Sequence, residues 1–585
     1  MPEAAEIIER ALNVPLPECE KISLVSARRQ TGPGMLWDRP GAVLDVKLDR
    51  VGDATIRELW AREARRVLDA IGWRAEGVTL RLWQGGASLA ISAPIDQLYS
   101  AVFAAQTAWH FCASEIAGVP PGDFSGMVDD LVSVMKREAN PALIALARTA
   151  GDRGLEILAD EDHLSLGHGA GSRTWPLDNL PDPVNIEWDQ IYNLPLALIT
   201  GTNGKTTTTR LCAAIAKASG VVSGLTSTEF VRVGDDILDR GDYSGPGGAR
   251  MVLRDRRLEI GLLEVARGGI MRRGLAVRNA RVAAVTNVAA DHLGHYGINT
   301  VGELAAAKFA VGRALAADGV MVLNADDAHV RQQAANVAAP VWWFALDPDT
   351  AQIRAAVRDG TPCGWLENDA LVLFDGRTQD VLMAVADIPI TMRGAARYNI
   401  QNALAAALVS KALGVGGDAI RRGLAGFRND PRDNPGRCNE FAWRGARLFV
   451  DFAHNPHSIA AVVSAMAAIP AKRRFALIGH AGDRSDQDIR DLADTVFQLD
   501  PDFIAIAEIE RLLRGREIGE IPKLLRDACA AQGMADDQLM MAESSFDGVS
   551  QILARIEPGD MALLLVYSER ERIFELLEAA PEAGG

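Results

Sequence analysis

Short apolar runs alternate with helical stretches from residue 194 onward. LALIT (196–200) is followed by a helix from Lys205, then by LEIGLLEV (258–265), VAAVTNV (282–288), a helix near 301–316 and GVMVLNA (319–325). Continuous apolar runs of this length, separated by helices, predict a mostly parallel sheet covered on both faces. A second series, ARLFVDF (446–452), RFALIGH (474–480), FIAIAEI (503–509) and MALLLVY (561–567), opens after the turn-rich stretch 429–435 and predicts another α/β domain. Before both, β-like runs at 42–46, 78–83 and 88–91 and a helix over about 96–116 predict an α+β domain. The stretch GHGAGSRTWPLDNLPDPVNIEWDQIYN (167–193) has no apolar period and reads as a linker. The expected organisation is 1–166, a linker at 167–193, 194–430 and 431–585, with no internal repeat.

Composition narrows the function. The chain has 585 residues, 48% of them hydrophobic and 24% charged, which suffices for several cores and excludes a disordered chain. Asp and Glu total 77 against 61 Lys and Arg, a net charge of −16 that repels nucleic acid and anionic membranes. Six scattered cysteines form no Cys-x-x-Cys pair and read as reduced thiols. The acidic, amphipathic start MPEAAEIIERALNV lacks a basic leader, and no apolar run reaches the roughly 18–20 residues of a bilayer span. A soluble, cytoplasmic protein is expected.

The strongest chemical signal follows the first strand of the central series. Gly201-Thr202-Asn203-Gly204-Lys205-Thr206-Thr207 joins strand to helix, so backbone N–H groups and the positive helix end converge on an anion. Lys205 reaches the terminal phosphates of a nucleotide and the Thr206 hydroxyl completes a magnesium shell. Position 199 is isoleucine, which departs from strict G-x-x-x-x-G-K-[ST]. Glu264 closes the apolar run 258–265, and Asp291 and His292 follow the run 282–288. Strand ends line the crevice of an open α/β sheet, so Thr206, Glu264 and His292 are expected to meet there and offer metal ligands.

The motifs TGTNGKTTTTR (200–210), GDYSGPGGARMVLRD (241–255), EVARGGIMRRGL (264–275), VTNVAADHLGHYGINTV (285–301), LNADD (323–327), RYNIQNALAA (397–406), NPGR (434–437), VDFAHNP (450–456) and GHAGDRSDQDIR (479–490) resemble the Mur ligase family. Within that family they are most similar to the C-terminal half of cyanophycin synthetases. The resemblance implies a central P-loop ATPase domain and a C-terminal Rossmann-like ligase domain that closes over it about a hinge near 427–435. It also implies ATP and Mg2+ as cofactors and a carboxylate activated as an acyl phosphate before an amine attacks it. By motif position, Lys205 and the loop 201–207 hold phosphate, and Thr206 and Glu264 hold magnesium. His292 ligates a second magnesium, and Lys308 is either carbamylated, adding an oxygen ligand, or a plain lysine. Asn399 and Asn402 contact adenine, Arg437 the phosphates and Asp451 the ribose. His454, Asn455, Asp483, Arg484 and Asp486 are candidates for holding the incoming amino acid.

The chain departs from cyanophycin synthetases before residue 194. ALARTAGDRGLEILADEDHLSLGHG (145–169) resembles the lead into an ATP-grasp domain, yet the loop at 201 follows within about thirty residues, which leaves no room for that domain between them. Three readings follow: a stand-alone ligase for a peptide, polymer or small-molecule carboxylate such as a folate-like acceptor; one part of a split system with a separate ATP-grasp partner, adding arginine to aspartate side chains; and an inactive nucleotide-binding scaffold. Asp483 and Asp486 suit a cationic amine, whereas Arg484, Arg490, Arg511, Arg514 and Arg516 suit an acidic one. A homo-oligomer is compatible with the charge.

Overall fold

The computed structural model describes residues 9–579, so the first eight residues of the acidic N-terminal stretch lie outside it. The chain divides into two compact units. One contains the residues up to Val288 with His292–Phe344 and Ala407–Gly416; the other contains Ala289–Asp291, Ala345–Ala406 and the chain from Gly417 onward.

In the first unit the central strand is Leu196–Thr200, buried at all five positions. Ile260–Glu264 and Ala280–Val285 flank it in parallel, followed outward by Ser223–Thr226 on one side and by Leu315–Asn324 and Val341–Ala345 on the other. Phe230–Val233 and Asp236–Arg240 add an antiparallel edge. The sheet is mostly parallel, as the apolar runs predict. Register sets Glu264 beside Ile199 and Val285 beside Thr200, so three strands end at one level. The chain crosses from one side of the central strand to the other here, the position at which an α/β sheet opens a crevice. The helix expected over 301–316 is Val301–Lys308 followed by a 3-10 turn at Phe309–Ala314, and the next strand already begins at Leu315. A capping box between Thr300 and Glu303 fixes the start of that helix.

The N-terminal α+β domain is an antiparallel sheet in the order Ile22–Gln30, Gly41–Leu48, Gly86–Ser92, Val78–Trp83, with the helices Asp53–Ala70 and Leu98–Ala117 contributing to its core. Trp60 and Leu44 are fully buried there, and the Trp60 indole donates to the Thr79 carbonyl at 3.0 Å. Residues 167–193, expected as a linker, are structured. Arg173–Pro176 pairs with His163–Leu166, which pairs with Ile157–Ala159. Arg254 ties this small sheet down through Asp160, the Leu158 carbonyl and the Ser165 hydroxyl. The glycines 167, 169 and 171 mark the turn between two of these strands, and the prolines and asparagines after Arg173–Pro176 accompany 3-10 turns at Pro183–Asn185 and Trp188–Gln190.

The second unit is built on a six-stranded sheet in the order Asn439–Trp443, Ala446–Asp451, Met561–Leu565, Arg474–Ile478, Phe503–Ala507, Leu539–Ala542. All pairs are parallel except the first. An antiparallel meander, Cys363–Glu367, Ala370–Phe374 and Gln379–Ala384, belongs to the same unit. No disulfide joins the six cysteines, and among the described residues no helix is long and apolar enough to cross a membrane.

Replacing Trp60 with Ala removes one of the largest buried side chains of the N-terminal core and its hydrogen bond to the Thr79 carbonyl. The expected loss is about 3–5 kcal/mol, read as a lower urea midpoint for the earliest unfolding transition.

Candidate functional site

The loop after Leu196–Thr200 is shaped by its neighbours. Gly201 has φ +152° and lies so close to Thr286 that a Cβ would sit 1.9 Å from the Thr286 hydroxyl. Gly204, at φ +83°, caps the helix Lys205–Ala218 in the left-handed region that other residues resist. Asn287 grips the loop by backbone and side chain: its carbonyl accepts from Thr202 N at 2.9 Å, its Oδ1 from Asn203 N at 2.9 Å, and its Nδ2 donates to the Asn203 carbonyl at 3.0 Å. The Thr286 hydroxyl donates to the same carbonyl at 2.6 Å. Residues 286 and 287 belong to the apolar run 282–288 but lie just past the strand, where their polar side chains act. The signal for Asn287 in the sequence is a polar Thr-Asn pair set inside the end of the apolar run 282–288.

Lys205, Thr206, Glu264 and Lys308 gather at this loop and the helix start that follows it. Lys205 Nζ donates to the Thr202 carbonyl at 2.9 Å, and Lys308 Nζ, on a residue only 4% exposed, donates to the Gly201 carbonyl at 2.7 Å. The Thr206 hydroxyl donates to Glu264 Oε1 at 3.1 Å with both residues buried. Thr207 is buried in the same helix turn. His292 adopts φ +49°, and its carbonyl accepts from Arg267 at 2.5 Å. A left-handed turn lined by backbone amides, with two lysines and a buried hydroxyl–carboxylate pair, matches the donor set of a magnesium-bound polyphosphate. Thr206 and Glu264 supply hard oxygens, and the glycines clear the backbone's approach. The residues therefore fit Mg2+ and a nucleotide.

In the second unit, Asn399 Nδ2 donates to the Ile390 carbonyl at 2.8 Å and Asn402 Nδ2 to Asn399 Oδ1 at 3.0 Å, a buried amide pair. Arg437 is half-buried, with its guanidinium 5.6 Å from the centre of the Phe452 ring. Asp451 accepts from Ala453 N at 2.6 Å; burial pushes its carboxyl up to about 6, with the Arg437 charge opposing. The His454 ring contacts the Phe452 carbonyl at 3.0 Å through Nδ1. Asn455 caps the helix Pro456–Ala467 by accepting from Ser458 N at 2.9 Å, which gives it a structural task. Asp483 pairs with Arg514 and Asp486 with Arg516, so their charges are already answered by arginine. Burial, helped by the charge of Arg484 in the same turn, holds the His480 imidazole down to about 4. His480 belongs to the quoted motif but was not singled out.

A glycine-rich loop that leads from the C-terminal end of the central strand of a parallel sheet into a helix is the arrangement found in nucleotide-binding α/β proteins. Residues 199–410 match the Mur ligase middle domain and residues 436–565 the Mur ligase, glutamate ligase domain; the chain belongs to the Mur ligase family, whose members are ATP-dependent ligases. It is 38% identical over 337 residues to a cyanophycin synthetase of Trichormus variabilis, covering 58% of this chain and 37% of that one. A cyanophycin synthetase of Geminocystis herdmanii is 37% identical over 366 residues, covering 63% and 41%. The chain thus spans about two fifths of the length of these relatives. Among solved structures, E. coli FolC in complex with DHPP and ADP aligns at 19% identity with a TM-score of 0.48, over 66% of this chain and 89% of that one.

Two outcomes follow. Gly201→Ala drives a methyl group into Thr286 and is expected to weaken ADP binding by at least about tenfold in calorimetry. For Asp451 the folded-state carboxyl lies above its unfolded value, so its stabilising contribution is fully present below about pH 4 and is lost as pH rises through about 6. Asp451→Asn should therefore raise stability at pH 8 by roughly 2–3 kcal/mol, with the gain vanishing near pH 4 in denaturant titrations.

Proposed function

We propose that the protein is an ATP-dependent carboxylate–amine ligase that joins an amino acid to a peptide, polymer or small-molecule carboxylate. The observation that carries this reading is the buried Thr206–Glu264 pair beside Lys205 and Lys308 at the glycine loop. A carboxylate oxygen of the acceptor attacks the γ-phosphorus and ADP leaves. The amine then attacks the activated carbonyl carbon, phosphate departs and the nitrogen loses a proton. The first step brings two anions together, so cationic side chains fixed in a partly dry site favour it over the same step in water. Mg2+ held by Thr206 and Glu264 supplies charge neutralisation on the nucleotide when bound.

In this reading Lys205 orients the terminal phosphates, and the ammonium of Lys308, or the oxygen of its carbamate, faces the same loop. The Lys308 hydrogen bond to Gly201 suits both states, because a carbamate nitrogen keeps one N–H. His292 reaches the site from the neighbouring strand end. Asn399, Asn402, Arg437 and Asp451 serve the nucleotide, and His454, Arg484 and His480 serve the amine. Asp483 and Asp486 carry arginine partners, which weakens the case for a cationic amine and favours an acidic or neutral one. Cysteines without disulfides support a reducing, cytoplasmic setting.

The test is phosphate release across the twenty amino acids with candidate acceptors. At least one pair should stimulate release, and Lys205→Ala should lower kcat by about 100-fold or more. Nucleotide binding without stimulation by any pair would favour the scaffold reading, and full activity of Lys205→Ala would remove the loop from the mechanism.

A further inference from the structure

The contacts that the N-terminal sheet makes inside its own unit converge on one loop of the site. Residues 292–298 follow the strand Ala280–Val285 and hold four left-handed positions: His292 at φ +49°, Gly294 at +90°, Tyr296 at +57° and Gly297 at +63°. A backbone with so many unfavourable positions persists only where its surroundings hold it. The loop's own bonds are few: Gly294 N to the Ile298 carbonyl at 2.7 Å, and Ile298 N to the His295 carbonyl at 3.1 Å.

The central domain holds the loop through Arg267, which donates to the His292 carbonyl at 2.5 Å, and Arg272, which donates to the Tyr296 hydroxyl at 3.1 Å, and the N-terminal domain holds its far side. Arg81 donates through Nη1 to the Gly297 carbonyl at 2.9 Å and through Nη2 to the Tyr296 carbonyl at 2.8 Å. Trp83, two residues on along the same strand face, packs so close to Gly297 that a Cβ there would lie 2.5 Å from three ring atoms. Arg28 places its guanidinium 5.5 Å from the centre of the Tyr296 ring and donates to the Met271 carbonyl at 2.7 Å. Arg81 is mostly buried, and Glu303 answers its charge at 3.6 Å. Glu303 also accepts from Asn299 N and Thr300 N at the start of the helix whose last residue is Lys308. One buried cation therefore braces both the loop of His292 and the first turn of the Lys308 helix. The brace has a firm footing, because Thr31 N donates to the Arg273 carbonyl at 2.8 Å and Leu275 N to the Pro33 carbonyl at 2.6 Å.

We propose that the N-terminal domain is a buttress for the ligase site, with Arg81 and Trp83 as positioning residues that hold the 292–298 loop and through it His292. The catalytic consequence rests on the ligase reading; the holding of the loop does not. A docking platform would need only apolar burial at this junction, whereas here a buried guanidinium is spent on two main-chain carbonyls of a strained turn.

The experiment uses the full chain with Arg81→Ala, Arg81→Lys and Gly297→Ala, read by hydrogen exchange and by kinetics. Arg81→Ala should speed exchange of the amides in 292–299 at least about tenfold, while those of Leu196–Thr200 and Gly41–Leu48 stay at the wild-type rate. Arg81→Lys, which can still reach one carbonyl, should fall between. Gly297→Ala pushes the loop off Trp83 without altering the N-terminal domain, and should give the same exchange pattern; it carries the test if Arg81→Ala does not fold. ADP affinity should change less than about threefold, since Arg81 makes no contact with residues 201–207, whereas kcat for phosphate release should fall at least about tenfold. Unchanged exchange over 292–299 in the folded variants overturns the buttress. Faster exchange with unchanged kcat overturns the positioning role and leaves the ligase reading standing. If the wild type releases no phosphate with any pair, the ligase reading fails and the exchange result alone decides the buttress.

Discussion

The chemistry of the first unit depends on how the chain leaves its central strand. At Gly201 the backbone must turn away from the sheet without a side chain, because Thr286 occupies the space a Cβ would need. Thr286 and Asn287 then hold the Asn203 carbonyl from the adjoining strand end, with bonds of 2.6 and 3.0 Å. That grip fixes the start of the helix at Lys205, and with it the direction of Thr206 towards Glu264. Strand register does the rest, since Glu264 reaches the level of the loop only because it pairs beside Ile199.

Charge is then arranged around a fixed backbone. Two of the nine lysines in the chain touch the carbonyls of this loop, and one of them is almost wholly buried. In the proposed ligase reading these two cations face the phosphates of the nucleotide. The second unit shows the complementary arrangement, with arginines pairing the acids of the 483–486 turn and a buried Asp451 held half-way to neutrality near pH 6. The net charge of −16 is thus no guide to the ligand, because local cations decide which anion can bind.

Much of this was legible in the sequence because apolar runs and glycine turns are local. The run 196–200 matched its strand residue for residue, and 78–83 did so in the N-terminal domain. The strand Ile22–Gln30 and the helix Asp53–Ala70 were not foreseen. The first mixes apolar residues with serines and arginines that serve its contacts, and the second carries a long charged face over a narrow buried stripe. Asn287 and Arg81 could not be identified from pattern alone, since their roles depend on which strand lies beside which and on two carbonyls more than 200 positions away. Asn455, assigned to the substrate by its motif, also caps the helix Pro456–Ala467 through its Oδ1, a task that the motif does not announce. Residues 167–193 read as a linker because turn residues look the same whether they tether domains or, as Gly167, Gly169 and Gly171 do, connect short strands.

The magnesium role proposed for Thr206 and Glu264 is decided by calorimetric titration of ADP with and without Mg2+, on the wild type and on Glu264→Gln. Mg2+ should tighten ADP binding to the wild type, and Glu264→Gln should lose this enhancement while keeping its Mg2+-free affinity. The same Mg2+ enhancement in both proteins would contradict it.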